Sequence, residues 1–265
     1  MLSKTNVIKE GTMKVISLAN QKGGVAKTTS TYNLAAARAM MDADARILMI
    51  DLDPQASLTI SADIEPGDDY LEGHSVCDLF EVKKDPLDAV FSVRASGLQN
   101  LYIVPSDIEL AEMEVRLITR MFGAESLLKK ALDKMEDCFD YVFIDCPPQL
   151  GKLTVNALIA SDEVIIPTQA GYLPMRGLKA LLKTIEEVKT INTDLEVKGI
   201  IITMYESRIN DQQDIKDMLE EYAPILGTVR KSADVQRKVV AGKPVVISMP
   251  QAQTAREYMQ IAEKL

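Results

Sequence analysis

Short apolar runs recur along the chain at residues 14–20, 46–51, 100–105, 141–145, 163–168, 197–204 and 225–229. Several are apolar throughout instead of alternating with polar residues, which predicts strands covered on both faces. Between them apolar residues return at helical spacing. Leu178, Leu181, Leu182, Ile185, Val188 and Ile191 form one such stripe, and Leu34, Ala35, Ala36 and Ala37 belong to another that opens at Thr28. Ser106 and Asp107 suit the cap of a helix carrying Leu110 and Met113. Strands alternating with helices predict an α/β fold, a single doubly wound, mostly parallel sheet flanked by helices. No repeat, low-complexity stretch or Pro/Gly-rich linker divides the chain, so one domain over residues 13–265 is expected, preceded by a short extension, residues 1–12. The acidic stretch 65–73 reads as an exposed loop.

Composition narrows the function classes. The 265 residues are 47% hydrophobic and 26% charged, as in ordinary soluble proteins. The net charge of −9 excludes a chain that binds nucleic acid by bulk charge, so any such contact must come from a local basic patch. Cys77, Cys138 and Cys146 are far apart, with no C-x-x-C pair, and fit a reducing cytoplasm better than a disulfide framework or metal site. The single histidine, His74, in a polar stretch, argues against histidine-based catalysis. Residues 1–11 lack the apolar centre of a signal peptide, and no apolar run approaches the roughly 18 residues of a membrane span. A soluble, cytoplasmic protein is expected.

The chemistry concentrates in Lys22-Gly23-Gly24-Val25-Ala26-Lys27-Thr28-Thr29, between a predicted strand and a predicted helix. The phosphate-binding pattern G-x-x-x-x-G-K-[ST] would place glycine at positions 21 and 26, where Gln21 and Ala26 stand. The remaining glycines can still aim successive N–H groups at phosphate oxygens, and the helix N-terminus adds its partial positive charge. Lys27 would neutralise the β- and γ-phosphates, and the Thr28 hydroxyl would ligate Mg²⁺. Two acidic positions fit the same site. Residues 46–51 lead into Asp51-Leu52-Asp53-Pro54-Gln55, and Tyr141-Val142-Phe143-Ile144 is closed by Asp145. Both lie where doubly wound sheets bind their ligands, at the carboxyl ends of strands.

Taken together, the lysine-bearing loop, Asp51 to Gln55 and Asp145-Cys146-Pro147-Pro148 resemble the deviant Walker A, switch I and Walker B segments of the ParA/MinD ATPases, a group of P-loop NTPases. The resemblance covers about residues 13–265, with weaker likenesses at Pro167-Thr168-Gln169 and Gly242-Lys243-Pro244. It implies ATP and Mg²⁺ as cofactors, slow partner-stimulated hydrolysis, and an ATP-bound homodimer in which Lys22 reaches the partner's nucleotide. It also implies that Asp53 orients the attacking water, that Thr28, Asp51 and Asp145 support Mg²⁺, and that adenine lies near Met204 and Arg230. Glycine is usual in the family where Ala26 stands. If that position is already the helix's first turn, alanine fits without strain, and this is the expected conformation; a left-handed backbone would cost about 1–2 kcal/mol.

Members of this family differ in what the dimer binds. The carboxyl-terminal residues 251–265 carry charges that sum to zero, which argues against a basic lipid-binding helix and for a helix packed on the sheet. Residues 227–256 hold six basic residues against Asp234 alone, a local footprint for phosphate binding. From it Lys231, Arg237, Lys238 and Lys243, with Arg208 added by resemblance, are the candidate contacts to non-specific DNA. The expected protein is a DNA-partition ATPase with a ParB-type centromere-binding partner, nucleoid-associated when ATP is bound and without a membrane role. Positioning of a protein complex, a MinD-like membrane ATPase and a metabolic relative of the same fold remain the alternatives.

Overall fold

The computed structural model describes residues 13–169, 174–206, 211–232 and 242–265, the side chains of 174–176 and 211–214 excepted. The chain runs β1 (Lys14–Leu18), α1 (Lys27–Met41), β2 (Ile47–Asp51), α2 (Ser57–Ser61), β3 (Phe91–Ser92), β4 (Leu101–Val104) and α3 (Glu109–Thr119). It continues through α4 (Leu127–Asp133), β5 (Tyr141–Asp145), α5 (Lys152–Ala160), β6 (Glu163–Gln169), α6 (Pro174–Val188), β7 (Glu196–Tyr205), α7 (Asp211–Glu220), β8 (Ile225–Arg230), α8 (Val245–Ser248) and α9 (Gln253–Ala262). The expected extension, residues 1–12, lies outside the described residues.

The strands form one sheet in the order β3-β4-β2-β5-β1-β6-β7-β8, parallel except for the β3–β4 pair. Both faces are buried, which is why the strands read as continuous apolar runs. In β2, Leu48 and Ile50 enter the core shared with α3, α4, α5 and α6, while Ile47 and Met49 enter the opposite core, packed with α1 and α9. The edge strand β3 escapes the hydrophobic pattern because two residues, Phe91 and Ser92, are too few to show a period. The carboxyl-terminal helix α9 packs as its sequence suggests, with Ala255, Tyr258 and Ala262 fully buried and the Tyr258 hydroxyl 3.2 Å from Ser30 Oγ on α1.

Two local expectations shift in detail. Ile108 occupies the cap position of α3, and the capping work falls to Asp107, whose carboxylate accepts the Glu109 N–H at 2.9 Å. The acidic loop at 65–73 is mostly exposed, but it folds a 3₁₀ turn at Asp69–Leu71 that buries Leu71. Among the described residues no helix is long and apolar enough to cross a membrane.

Topology brings the chemistry-bearing ends together. β5 lies between β2 and β1, in a register that sets Asp51 beside Asp145 and Asp145 beside Leu18, two residues before Asn20. The loop from β1 to α1 therefore opens over a pair of buried carboxylates.

Candidate functional site

The loop between β1 and α1 is held by its carbonyls. Gln169 Nε2 donates to the Gly24 carbonyl at 2.9 Å, and Thr203 Oγ1 lies 3.1 Å from the Val25 carbonyl. In a trans peptide the N–H points opposite to the C=O. Anchoring these two carbonyls to β6 and β7 thus turns the Val25 and Ala26 N–H groups to the other side of the loop. Asn20 fastens the loop's start: its Oδ1 accepts the Lys22 N–H at 3.0 Å and its Nδ2 donates to the Pro167 carbonyl at 2.7 Å. Gly23 and Gly24 are exposed on this turn, and Gly24 has a φ of +71° that L side chains rarely adopt.

The two lysines of the loop have different surroundings. Lys27, on the first turn of α1, is only 8% exposed. Lys22 is half-buried at the rim, its Nζ 3.2 Å from Gln169 Oε1. The Gln169 amide has one sensible orientation here. Reversing it would aim its NH₂ group at the Lys22 ammonium and its oxygen at the Gly24 carbonyl.

Ala26 departs from expectation. It sits at the cap of α1 with φ 61° and ψ 33°, a left-handed conformation, and not in the helix's first turn. The reason is tertiary: with Val25 fixed by Thr203 and Lys27 already helical, the backbone must reverse its hand at residue 26. Such a position costs an alanine about 1–2 kcal/mol, partly offset in a comparison with glycine by glycine's more flexible unfolded chain. Ala26→Gly is therefore expected to stabilise the protein by about 0.5–1 kcal/mol, read as a shift of the urea midpoint at constant slope. An unchanged or lowered midpoint would show that the loop carries no such strain.

Behind the loop lie the acids. Thr28 Oγ1 donates to Asp145 Oδ2 at 2.6 Å, and Thr31 Oγ1 is 3.4 Å from its other oxygen. Asp51 Oδ2 accepts from the Thr59 N–H and hydroxyl at 2.9 and 2.8 Å, and its Oδ1 accepts the Asp53 N–H at 3.1 Å. Asp51 and Asp145 are buried side by side. Burial pushes both carboxyls above the usual carboxylate range, and the negative charge of Asp51 raises Asp145 further. Two buried acids at a strand end, with a threonine hydroxyl and a buried lysine beside them, fit a divalent cation on a phosphate chain: the cation supplies the charge the pair lacks.

Asp145→Asn keeps an acceptor for Thr28 and removes the like-charge pair. A raised carboxyl pKa means that the charged form opposes folding, increasingly as pH climbs from about 4 through neutrality. The variant is thus expected to be about 1–2 kcal/mol more stable than wild type, more so at pH 8 than at pH 6. Thermal unfolding at the two pH values checks this; a destabilised variant would place the cost elsewhere.

The other sequence-named residues divide. Asp53 is half-buried beside this pair, one carboxylate oxygen accepting the Gln55 N–H at 3.0 Å. Thr29 is half-buried on α1, and its carbonyl accepts from Asn33 Nδ2 at 2.8 Å. Met204 and Arg230 lie at neighbouring strand ends, since Tyr205 pairs with Arg230 across β7 and β8. Met204 has a positive φ of 53°, with its sulfur 3.1 Å from Gln169 Nε2. Arg230 is engaged by Glu257, which accepts its backbone N–H at 3.0 Å and its Nε at 2.8 Å.

Of the basic candidates, Lys231 is paired with Glu206 at 3.0 Å, and Lys243 is exposed beside Gly242, whose carbonyl accepts the Tyr32 hydroxyl at 3.2 Å. Arg208, Arg237 and Lys238 lie outside the described residues. Sequence reasoning missed Asn20, Thr59, Gln169 and Thr203 as site residues. For Asn20, Gln169 and Thr203 a signal was present, since each is polar where an apolar strand ends, and a polar group there needs a hydrogen-bond partner.

An AAA domain family model matches residues 13–197. The chain is 35% identical over 256 residues to the sporulation initiation inhibitor protein Soj of Bacillus subtilis, covering 95% of this chain and 98% of that protein. It is 32% identical over 256 residues to the chromosome partitioning protein ParA of Myxococcus xanthus, covering 95% and 87%. Among solved structures, cobyrinic acid a,c-diamide synthase from Mycobacterium smegmatis with bound ATP analogue and magnesium superposes with a TM-score of 0.76 at 33% identity, over 95% of this chain and 93% of that one.

Proposed function

The chain belongs to the ParA/MinD-type family of P-loop ATPases, and we propose that it is an ATP-timed dimerisation switch that partitions DNA. The observation that carries this reading is the pair of lysines in one phosphate loop, Lys27 buried within it and Lys22 at its rim on Gln169. One lysine serves the chain's own nucleotide. The second would enter a facing site, where two apposed triphosphates repel unless cations come between them.

In this reading the Val25 and Ala26 N–H groups, with the amino end of α1, receive the phosphates. Lys27 neutralises them, and Thr28 with the Asp51–Asp145 pair supports Mg²⁺, which when bound draws charge from the phosphate oxygens. Asp53 holds the water that attacks the terminal phosphorus. Lys22 of the facing protomer screens the charge that builds there. ATP thus favours the dimer, and hydrolysis returns the monomer. Met204 and Arg230 border the base, Arg230 after parting from Glu257. A ParB-type protein stimulates hydrolysis, and the ATP dimer holds DNA through phosphate contacts by Arg208, Lys231, Arg237, Lys238 and Lys243.

A second reading, positioning of a protein complex, has one observation in its favour: Arg230 and Lys231 are tied into ion pairs with Glu257 and Glu206. DNA retention separates the two. With ATP and a non-hydrolysing variant, about six to ten phosphate contacts per dimer predict a loss of at least roughly a thousandfold in affinity for random-sequence DNA between 50 and 200 mM salt, and Arg237→Glu flattens that slope. Absence of ATP-dependent retention at either salt concentration excludes DNA as the cargo.

A further inference from the structure

We infer that the outer face of α3 is a docking site for a second protein that presents a basic amphipathic helix. The inner face of α3 is spent on the core: Leu110, Met113 and Leu117 are buried. Ile108, Val115 and Ile118, spaced by seven and three residues, share the opposite face and are 71%, 60% and 62% exposed. Met121 and Phe122, just beyond the helix end, are 86% and 81% exposed. Half of the ten large apolar side chains exposed among the described residues thus fall within 15 residues of chain, which makes a patch instead of the scatter normal on a monomer.

Charge chooses the occupant. Residues 107–122 carry four acids, Asp107, Glu109, Glu112 and Glu114, against Arg116 and Arg120. Arg116 already faces Glu112 at 3.8 Å. A second copy docking face to face would set these four acids against the same four. An apolar stripe rimmed by carboxylates is matched by a helix with leucine-like anchors at i, i+3 and i+7 and lysine or arginine beside them.

The position of α3 gives docking a consequence. At its start the Ser106 N–H donates at 2.9 Å to Thr59 Oγ1, the hydroxyl that holds Asp51. In its middle the Glu114 carboxylate rests on Gly151, in the segment that follows Asp145. One helix therefore abuts the loops of both buried acids. This consequence rests on the proposed ATPase reading; the binding surface itself does not.

The test uses the full chain and two synthetic 15-residue peptides, one with a leucine face and lysine polar positions, the other with glutamate in place of lysine. Val115→Ser/Ile118→Ser changes only exposed positions and leaves the fold intact, checked by thermal unfolding. Fluorescence anisotropy is expected to show wild type binding the lysine peptide and not the glutamate peptide, with at least about tenfold weaker binding by the double variant. Equal binding of the lysine peptide to both proteins overturns the inference. So does nucleotide-free self-association that the double variant abolishes, which assigns the face to a second copy. A gain in peptide affinity on removing residues 1–12 also overturns it, by assigning the face to the chain's own segment. ATP hydrolysis measured without peptide reports separately on the ATPase reading.

Discussion

Lys22→Ala is expected to leave ATP affinity within about threefold of wild type while lowering partner-stimulated hydrolysis at least about a hundredfold, a conservative share of what a charge supplied in trans contributes to phosphoryl transfer. Lys27→Ala is expected to behave differently, losing most ATP binding. The contrast follows from where the two ammonium groups lie. Lys27 is buried on the first turn of α1, close enough to Asp145 to offset part of the rise in that carboxyl's pKa, and in the proposed reading it serves the chain's own phosphates. Lys22 is anchored at its N–H by Asn20 and at its Nζ by Gln169, so the lysine is at the rim and, among the described residues, its charge has one side-chain amide for company. Moving that Nζ into a facing site costs one hydrogen bond to a neutral acceptor, about 1–2 kcal/mol, which a charge-assisted contact to phosphate readily offsets. Titration with a fluorescent ATP analogue and sedimentation with ATP distinguish the cases. Lys22→Ala protein that binds ATP but stays monomeric supports the trans role, and unchanged stimulated hydrolysis would sink it.

What could be read from the sequence was chemistry carried by residue type at fixed spacing. Lys27, Thr28, Asp51 and Asp145 had to meet once the apolar runs were strands of one parallel sheet, because strand ends carrying acids converge where β5 enters between β1 and β2. What could not be read was backbone conformation imposed from a distance. Nothing near Ala26 in the chain distinguishes a first helical turn from a left-handed cap. The decision is made by Thr203, 177 residues later, reaching the Val25 carbonyl. Gln169 was visible as a polar residue closing a strand and as part of a short likeness, but not as a hub, since its three contacts, to Lys22, Gly24 and Met204, are created by the β1–β6–β7 adjacency. The basic stretch depends on distance in the same way. Composition counts charges, whereas Arg230 and Lys231 have each found an acid, Glu257 and Glu206, that the local count of acids did not include.

Asp53→Ala is expected to cut hydrolysis at least about a hundredfold with ATP binding nearly unchanged, leaving the protein in its ATP-bound dimer. The three acids of the site differ in what their oxygens already hold. Asp51 is occupied by Thr59 and the Asp53 N–H, and Asp145 by Thr28 with Thr31 nearby, so both are fixed and buried. Asp53 is half-buried and holds the Gln55 N–H with one oxygen, which leaves the other for a water molecule. Its backbone N–H on Asp51 would tie such a water to the acid pair, so the group proposed to position the nucleophile would move with the group proposed to support the cation. Alanine at 53 keeps this backbone link and removes only the carboxylate, so folding and ATP affinity should survive. Single-turnover hydrolysis with pre-bound ATP isolates the chemical step from nucleotide exchange. A normal single-turnover rate in Asp53→Ala would transfer the water-positioning role to another residue, and a loss of ATP affinity equal to the loss of rate would make Asp53 a binding residue instead.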